Sequence, residues 1–296
     1  TPLIAAQGIA ILLEAGVPPG VVQLLPGRGE TVGAQLTGDD RVRGVMFTGS
    51  TEVATLLQRN IASRLDAQGR PIPLIAETGG MNAMIVDSSA LTEQVVVDVL
   101  ASAFDSAGQR CSALRVLCLQ DEIADHTLKM LRGAMAECRM GNPGRLTTDI
   151  GPVIDSEAKA NIERHIQTMR SKGRPVFQAV RENSEDAREW QSGTFVAPTL
   201  IELDDFAELQ KEVFGPVLHV VRYNRNQLPE LIEQINASGY GLTLGVHTRI
   251  DETIAQVTGS AHVGNLYVNR NMVGAVVGVQ PFGGEGLAGT GPKAGG

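Results

Sequence analysis

Apolar positions along this chain follow two rhythms, a three-or-four spacing over long stretches and short unbroken runs between them, which predict helices and buried strands respectively. Leu3, Ala6, Ile9 or Ala10, and Leu13 keep helical spacing up to Gly16, and Thr1-Pro2 reads as an N-cap with Pro at the first helical position. After the Pro18-Pro19-Gly20 turn, Val21 to Leu25 predicts a strand; a Gly-rich turn, Pro26-Gly27-Arg28-Gly29, then leads into a helical stretch near Thr31 to Leu36. Val45-Met46-Phe47 predicts the next strand, Thr48 to Thr51 a turn with a cap, and Glu52 to Leu65 a helix.

The alternation continues downstream. Strands are expected at Ile72 to Ala76, Ala83 to Val86, Val116 to Leu119, 217–223, 243–247 and 264–268. Helices are expected at Leu91 to Ala107, Glu122 to Cys138, 155–172, 228–237 and 251–260. The fold class is therefore α/β, a largely parallel sheet with helical crossovers. The polar stretch Arg181 to Gln191, which holds the only Trp, reads as a solvated surface loop.

Composition narrows the possibilities. The 296 residues are 43% hydrophobic and 20% charged, which fits a globular chain and excludes disordered or collagen-like classes. A net charge of −8 without a basic block argues against nucleic acid as a partner. No apolar stretch approaches the roughly 20 residues needed to cross a bilayer. Cys111, Cys118 and Cys138 are odd in number and lack C-x-x-C spacing, so neither a disulfide framework nor a zinc site is expected and a cytoplasmic setting is. His126, His165, His219, His247 and His262 show no metal-like spacing. With no Met at its start, the chain reads as a fragment.

Four stretches carry residues suited to chemistry. Cys111, in Gly108-Gln109-Arg110-Cys111-Ser112, sits at a helix–strand junction, where Arg110 and backbone N–H groups are expected to lower its pKa toward the thiolate; a buried structural cysteine is the other reading. Glu77, in Glu77-Thr78-Gly79-Gly80, stands at the carboxyl end of a strand, as a general base or as a carboxylate turned to solvent. Phe47-Thr48-Gly49-Ser50-Thr51 opens a helix as an anion cradle or as an ordinary capped start. Lys211 to Pro216 brings Glu212 and Phe214 to a forced turn, fit for ribose hydroxyls and a flat ring or simply a turn.

Taken in order with Pro281-Phe282-Gly283-Gly284, these stretches resemble the aldehyde dehydrogenase superfamily, and the separation of Glu77 from Cys111 fits the family's base and thiol. The stretch Asn269 to Gln280 and the ending Gly291 to Gly296 are most similar to the glutamate-semialdehyde (pyrroline-5-carboxylate) dehydrogenases, in particular the dehydrogenase portion of bifunctional bacterial proline-catabolic enzymes. The resemblance implies a partial Rossmann-like cofactor domain over 1–78, a catalytic domain over 79–285 and a C-terminal segment over 286–296. It implies NAD as cofactor, glutamate semialdehyde as substrate and a homo-oligomeric full-length protein.

By that resemblance Cys111 attacks the aldehyde and Glu77 activates water against the thioester. Gly49 and Ser50 lie at the pyrophosphate, Gly29 and Gly33 near the adenine, Glu212 at the nicotinamide ribose and Phe214 beside the nicotinamide. Phe47, Thr48, Thr78 and Gly79 join the cofactor-binding set. Ser112 with the backbone of Gly274 and Ala275 holds the substrate carboxylate, Arg110 belongs to the same substrate set, and Phe282 lines the aldehyde channel. The family's oxyanion-hole Asn and its ribose-binding Lys and Glu fall upstream of Thr1, so the piece alone is expected to be inactive. A dehydrogenase for another small aldehyde and a non-catalytic fragment of the same fold are the alternatives.

Overall fold

In the computed structural model, which describes residues 2–179, 190, 192–273, 275 and 278–291, the opening helical rhythm becomes α1 (Pro2–Glu14). Contacts divide the chain into a smaller unit, Thr1–Met46 with Glu52–Leu74, and a larger one, Phe47–Thr51 with Ile75–Gly296. In the smaller unit a π-helical turn, Gly29–Gly33, runs into α2 (Ala34–Gly38), where Thr37 Oγ1 donates back to the Gly33 carbonyl at 2.9 Å. The Arg64 guanidinium caps the end of α2, donating to the carbonyls of Thr37, Asp39 and Val42. Ile61 and Ile72 are the buried apolar side chains among the unit's described residues.

The strand expected at Val21 to Leu25 is absent. A strand needs a partner for its N–H and C=O groups, and none pairs with this stretch among the described residues. Gly20, at φ 90°, turns the chain just before it, and Val21 is 69% exposed.

Next come β1 (Val45–Thr48), α3 (Thr51–Ala62) and β2 (Leu74–Glu77), with β1 and β2 forming a two-stranded sheet. The larger unit then supplies β3 (Ala83–Val86), α4 (Thr92–Phe104), β4 (Val116–Gln120), α5 (Asp121–Glu137), α6 (Ser156–Ser171), β5 (Val176–Gln178), β6 (Thr199–Leu203) and β7 (Val217–Tyr223). It continues with α7 (Leu228–Ala237), β8 (Tyr240–Gly241), β9 (Thr243–His247), α8 (Asp251–Ser260), β10 (Asn265–Val268) and β11 (Glu285–Gly286).

Seven of these strands form one sheet in the order β10-β9-β3-β4-β7-β6-β5, parallel throughout except for the edge pair β5–β6. β3, β4 and β9 are buried along their whole length, as expected of parallel strands covered on both faces. The expected α/β class is what the structure shows. β5 and β6 had no counterpart in the sequence reading; Pro198 stands directly before β6 and Glu202 interrupts its apolar run. Trp190 is half-buried and donates its Nε1–H to the Met140 carbonyl at 3.0 Å; residues 181–189 and 191 of the expected surface loop lie outside the described residues.

The register decides where a site can form. Ala83 pairs with Val116 and with Leu244, and Val116 with His219, so the amino ends of β3, β4, β7 and β9 stand in line. The loops leading into these strands, 78–82, 108–115, 212–216 and 242, therefore stand side by side. Three of the four hold residues singled out from the sequence.

Candidate active site

Helix α4 stops at Phe104, short of the expected Ala107, and the chain reverses through Ser106 (φ 56°), Ala107 (φ 54°) and Gly108 (φ 64°). Left-handed backbone at two non-glycine residues costs about 1–3 kcal/mol each unless the surroundings enforce it. Here they do. A Cβ on Gly108 would lie 2.2 Å from the Gly215 carbonyl oxygen, so the turn is pressed against the 212–216 loop. Asn82, buried at the head of β3, donates from Nδ2 to the carbonyls of Cys111 (2.7 Å) and Ala113 (2.9 Å), while its Oδ1 accepts from the Thr243 amide at 3.2 Å.

Arg115 lies beneath this loop with no exposed surface. Its Nε and Nη2 donate to Glu212 Oε1 at 3.1 and 2.9 Å, its Nη1 to the carbonyls of Gly108 (2.7 Å) and Gly215 (3.3 Å), and its Nη2 also to that of Arg110 (3.0 Å). The guanidinium sits 5.1 Å from the centre of the Phe214 ring. The Arg115 backbone is fixed as well, its amide on the Asn82 carbonyl and its carbonyl accepting from the His219 amide (2.9 Å) and His219 Nδ1 (3.1 Å). Burial holds His219 neutral, pushed down to about 3, and its Nε2 meets His165 Nε2 at 2.9 Å. Asn82, Arg115 and His219 had no role in the sequence reading. An internal Asn or Arg flanked by apolar residues is the only signal that marks the first two.

Glu77 ends β2, and its Oε2 accepts from the Gly284 amide at 3.0 Å. The chain around it is paired with the 287–290 stretch: the Thr78 amide donates to the Ala288 carbonyl (3.0 Å), Thr78 Oγ1 to the Leu287 carbonyl (2.6 Å), and the Thr290 amide to the Ala76 carbonyl (2.9 Å). Pro281 to Gly284 thus has a second use beyond Phe282, since Gly284 braces the carboxylate; Phe282 itself is half-buried.

Cys111 is half-buried, and its thiol is pushed above its ordinary pKa, first by burial and then by the carboxylates of Glu212 and Glu77. Backbone N–H groups of Cys111 and Ser112 oppose the rise, as expected, but Arg110 does not act as foreseen. Its Nε is committed to Ser106 Oγ at 3.0 Å, and the net direction is upward, not toward the thiolate. The same result places Cys111 within electrostatic reach of both Glu212 and Glu77. Cys118 is fully buried in β4 and pushed up to about 12 by burial alone.

Thr78, Gly79 and Gly80 are buried beside the thiol loop, and a Cβ on Gly79 would lie 1.6 Å from Glu212 Oε2. Glycine there is what lets the carboxylate occupy that space. Thr48, Gly49 and Ser50 are exposed ahead of α3, where the Gly49 amide donates to the Glu77 carbonyl at 3.2 Å and the Phe47 ring lies against Gly49. Gly29 and Gly33 bound the π-helical turn of the smaller unit. Ser112 is buried next to Cys111, and its carbonyl faces Thr243 Oγ1 at 3.5 Å. Ala275 is half-buried, while Gly274 lies outside the described residues. Among the described residues no group of three His, Cys, Asp or Glu could hold a metal ion.

The aldehyde dehydrogenase family matches residues 1–296. The chain belongs to this family. It is 94% identical over its whole length to the bifunctional protein PutA of Salmonella typhimurium, of which it covers 22%, and 35% identical to the 1-pyrroline-5-carboxylate dehydrogenase of Bacillus cereus, of which it covers 56%. Among solved structures, a bifunctional proline utilization A (PutA) protein superposes with a TM-score of 0.91 at 50% identity, over 99% of this chain and 29% of that one. A 1-pyrroline-5-carboxylate dehydrogenase from Thermus with bound NAD superposes at 0.87 and 37% identity, over 98% of this chain and 55% of that one. The chain therefore spans about a quarter of the PutA proteins and just over half of the single-function dehydrogenases it matches.

Proposed function

We propose that this chain carries the thiol and the base of an NAD-dependent dehydrogenase that oxidises L-glutamate γ-semialdehyde to L-glutamate in proline catabolism. The observation that carries the reading is the alignment, by the sheet register, of the stretch that follows Glu77 with the loops that carry Cys111 and Glu212, and both carboxylates act to raise the thiol. The relatives named for 1-pyrroline-5-carboxylate support the choice of substrate.

Cys111 Sγ is the nucleophile. A thiol held neutral must lose its proton before it attacks an aldehyde, and at the half-buried Cys111 that proton passes to solvent, which leaves Glu77 ionised for the later step. Attack by sulfur gives a thiohemiacetal on Cys111, and oxidation of that adduct leaves a thioester. Glu77, steadied by the Gly284 amide, then draws a proton from the water that hydrolyses the thioester.

The cofactor side fits a dinucleotide. Glu212 presents a carboxylate suited to ribose hydroxyls, Phe214 offers a ring 44% exposed, and the Thr48-Gly49-Ser50 turn opens toward solvent ahead of a helix N-terminus. Bound NAD supplies the hydride acceptor. In this reading residues 1–78 serve the cofactor, with Phe47, Thr78, Gly79, Gly29 and Gly33 among the binding positions, 79–285 carry the catalytic groups and 286–296 close the C-terminal end. Ser112 with the backbone of Gly274 and Ala275 holds the substrate's α-carboxylate, Arg110 belongs to the same substrate set, and Phe282 lines the aldehyde's path.

The test is pre-steady-state NADH formation by the full-length protein with glutamate semialdehyde. Glu77→Gln is expected to release NADH in a single burst and then stall with acyl-enzyme on Cys111, visible as added mass on the tryptic peptide, while Cys111→Ala gives neither burst nor turnover. Steady turnover by either variant would remove the assigned role.

A further inference from the structure

A guanidinium has five N–H donors, and every one of those on Arg115 is used. Two meet Glu212 Oε1, and the other three meet the carbonyls of Gly108, Arg110 and Gly215. Gly108 and Arg110 lie just before Cys111, whereas Glu212 and Gly215 flank Phe214 on the loop assigned to the cofactor. One buried side chain therefore fixes both halves of the candidate site.

We propose that Arg115 is a positioning residue that holds Glu212 for the cofactor and the Cys111 loop for the substrate through the same guanidinium, so that the two placements are coupled. The inference rests on the dehydrogenase reading above. Its physical basis is the cost of an unpaired charge: removing one partner of a buried ion pair leaves the other uncompensated, so Glu212 stays where Arg115 puts it. The geometry closes from the opposite side as well. Glu212 Oε2 fills the space over Gly79 that any Cβ would take, leaving the carboxylate fixed between Arg115 and the backbone that follows Glu77. Lysine could not replace this arrangement, because an ammonium has three donors and no planar fork.

The experiment is a double-mutant cycle in the full-length protein with Arg115→Lys, Glu212→Gln and the pair, measuring the NAD dissociation constant by calorimetry and the melting temperature alongside. Arg115→Lys is expected to weaken NAD binding about tenfold when Glu212 is present, the size of loss expected when hydrogen bonds to a charged group are broken. In the Glu212→Gln background the same change is expected to cost less than about twofold. Equal losses in both backgrounds, or no loss in either, would overturn the coupling and leave Arg115 a structural residue.

Should Arg115→Lys melt before it can be assayed, Arg115→Gln, which keeps two donors on a planar group, takes its place in the cycle, and the same non-additivity with Glu212→Gln is expected, with additivity again overturning the proposal. A wild-type protein that turns over NAD but gives additive losses refutes this inference alone, whereas a wild-type protein that does not bind NAD removes the dehydrogenase reading and this inference together.

Discussion

Around Cys111 the backbone is held by the side chains of Asn82 and Arg115, both rooted in the buried sheet, whereas around Glu77 it is held by the backbone of residues 284–290, more than two hundred positions away in sequence. The nucleophile's support runs through polar side chains that each satisfy several carbonyls. The base's support runs mainly through peptide groups and glycines, joined by the hydroxyls of Thr78 and Thr290. The two regions should therefore fail in different ways. A side-chain deletion strikes the thiol, and an added methyl strikes the base.

Asn82→Ala should show the largest of these effects. It strips partners from two carbonyls and an amide inside the protein, and each buried unpaired group costs about 1–3 kcal/mol. Allowing for partial relaxation, about 3 kcal/mol of stability should be lost, with a slower NADH burst and a steady-state rate that falls less than the burst does. Denaturant unfolding and stopped-flow absorbance on the full-length protein measure the two quantities. A burst as fast as wild type would mean that the thiol loop holds its shape without Asn82.

Gly284→Ala comes next. The new Cβ would lie 2.7 Å from the Ala288 carbonyl oxygen, too close to be tolerated without a backbone shift, and overpacking of this kind costs about 1–3 kcal/mol. The shift moves the amide that braces Glu77. Acylation should proceed near the normal rate while thioester hydrolysis slows, so the burst stands out more sharply against a depressed steady state. If burst and steady state fell together, the backbone brace would serve both residues and the contrast between the two regions would be lost.

How much of this was legible in the sequence follows from the same contrast. Strands 83–86, 217–223 and 243–247 and helices 228–237 and 251–260 appear where the apolar rhythm puts them, because their burial is written locally in side-chain type. Val21 to Leu25 misled because an apolar run becomes a strand only through a partner, which a periodicity does not contain. The helix expected to reach Ala107 ended early because the turn at 106–108 is enforced by Arg115 and Gly215 from outside the segment. Cys111, Glu77 and Glu212 were marked by residue type and resemblance. Asn82 was not, since its meaning lies in partners at 111, 113 and 243, and only the fold brings those together.

The smallest effect concerns the charge around the thiol. Burial comes first and Glu212 second among the causes that raise Cys111, with Glu77 further down, so the protonated thiol persists to higher pH than it would in an open chain. The sign follows from charge: a nearby carboxylate disfavours a second negative group, and removing it eases ionisation. The pH profile of Cys111 alkylation by iodoacetamide, read by mass spectrometry on its tryptic peptide, should have its midpoint above the ordinary cysteine value in the wild type. In Glu212→Gln the midpoint should move down while remaining raised, because the burial contribution is untouched. Cys118, pushed up to about 12 in the sheet, should stay unlabelled and serve as an internal control for the folded state. A midpoint that rose in Glu212→Gln would show that the carboxylate helps to form the thiolate. Support of the thiol loop by side chains would then extend to its charge as well as its shape.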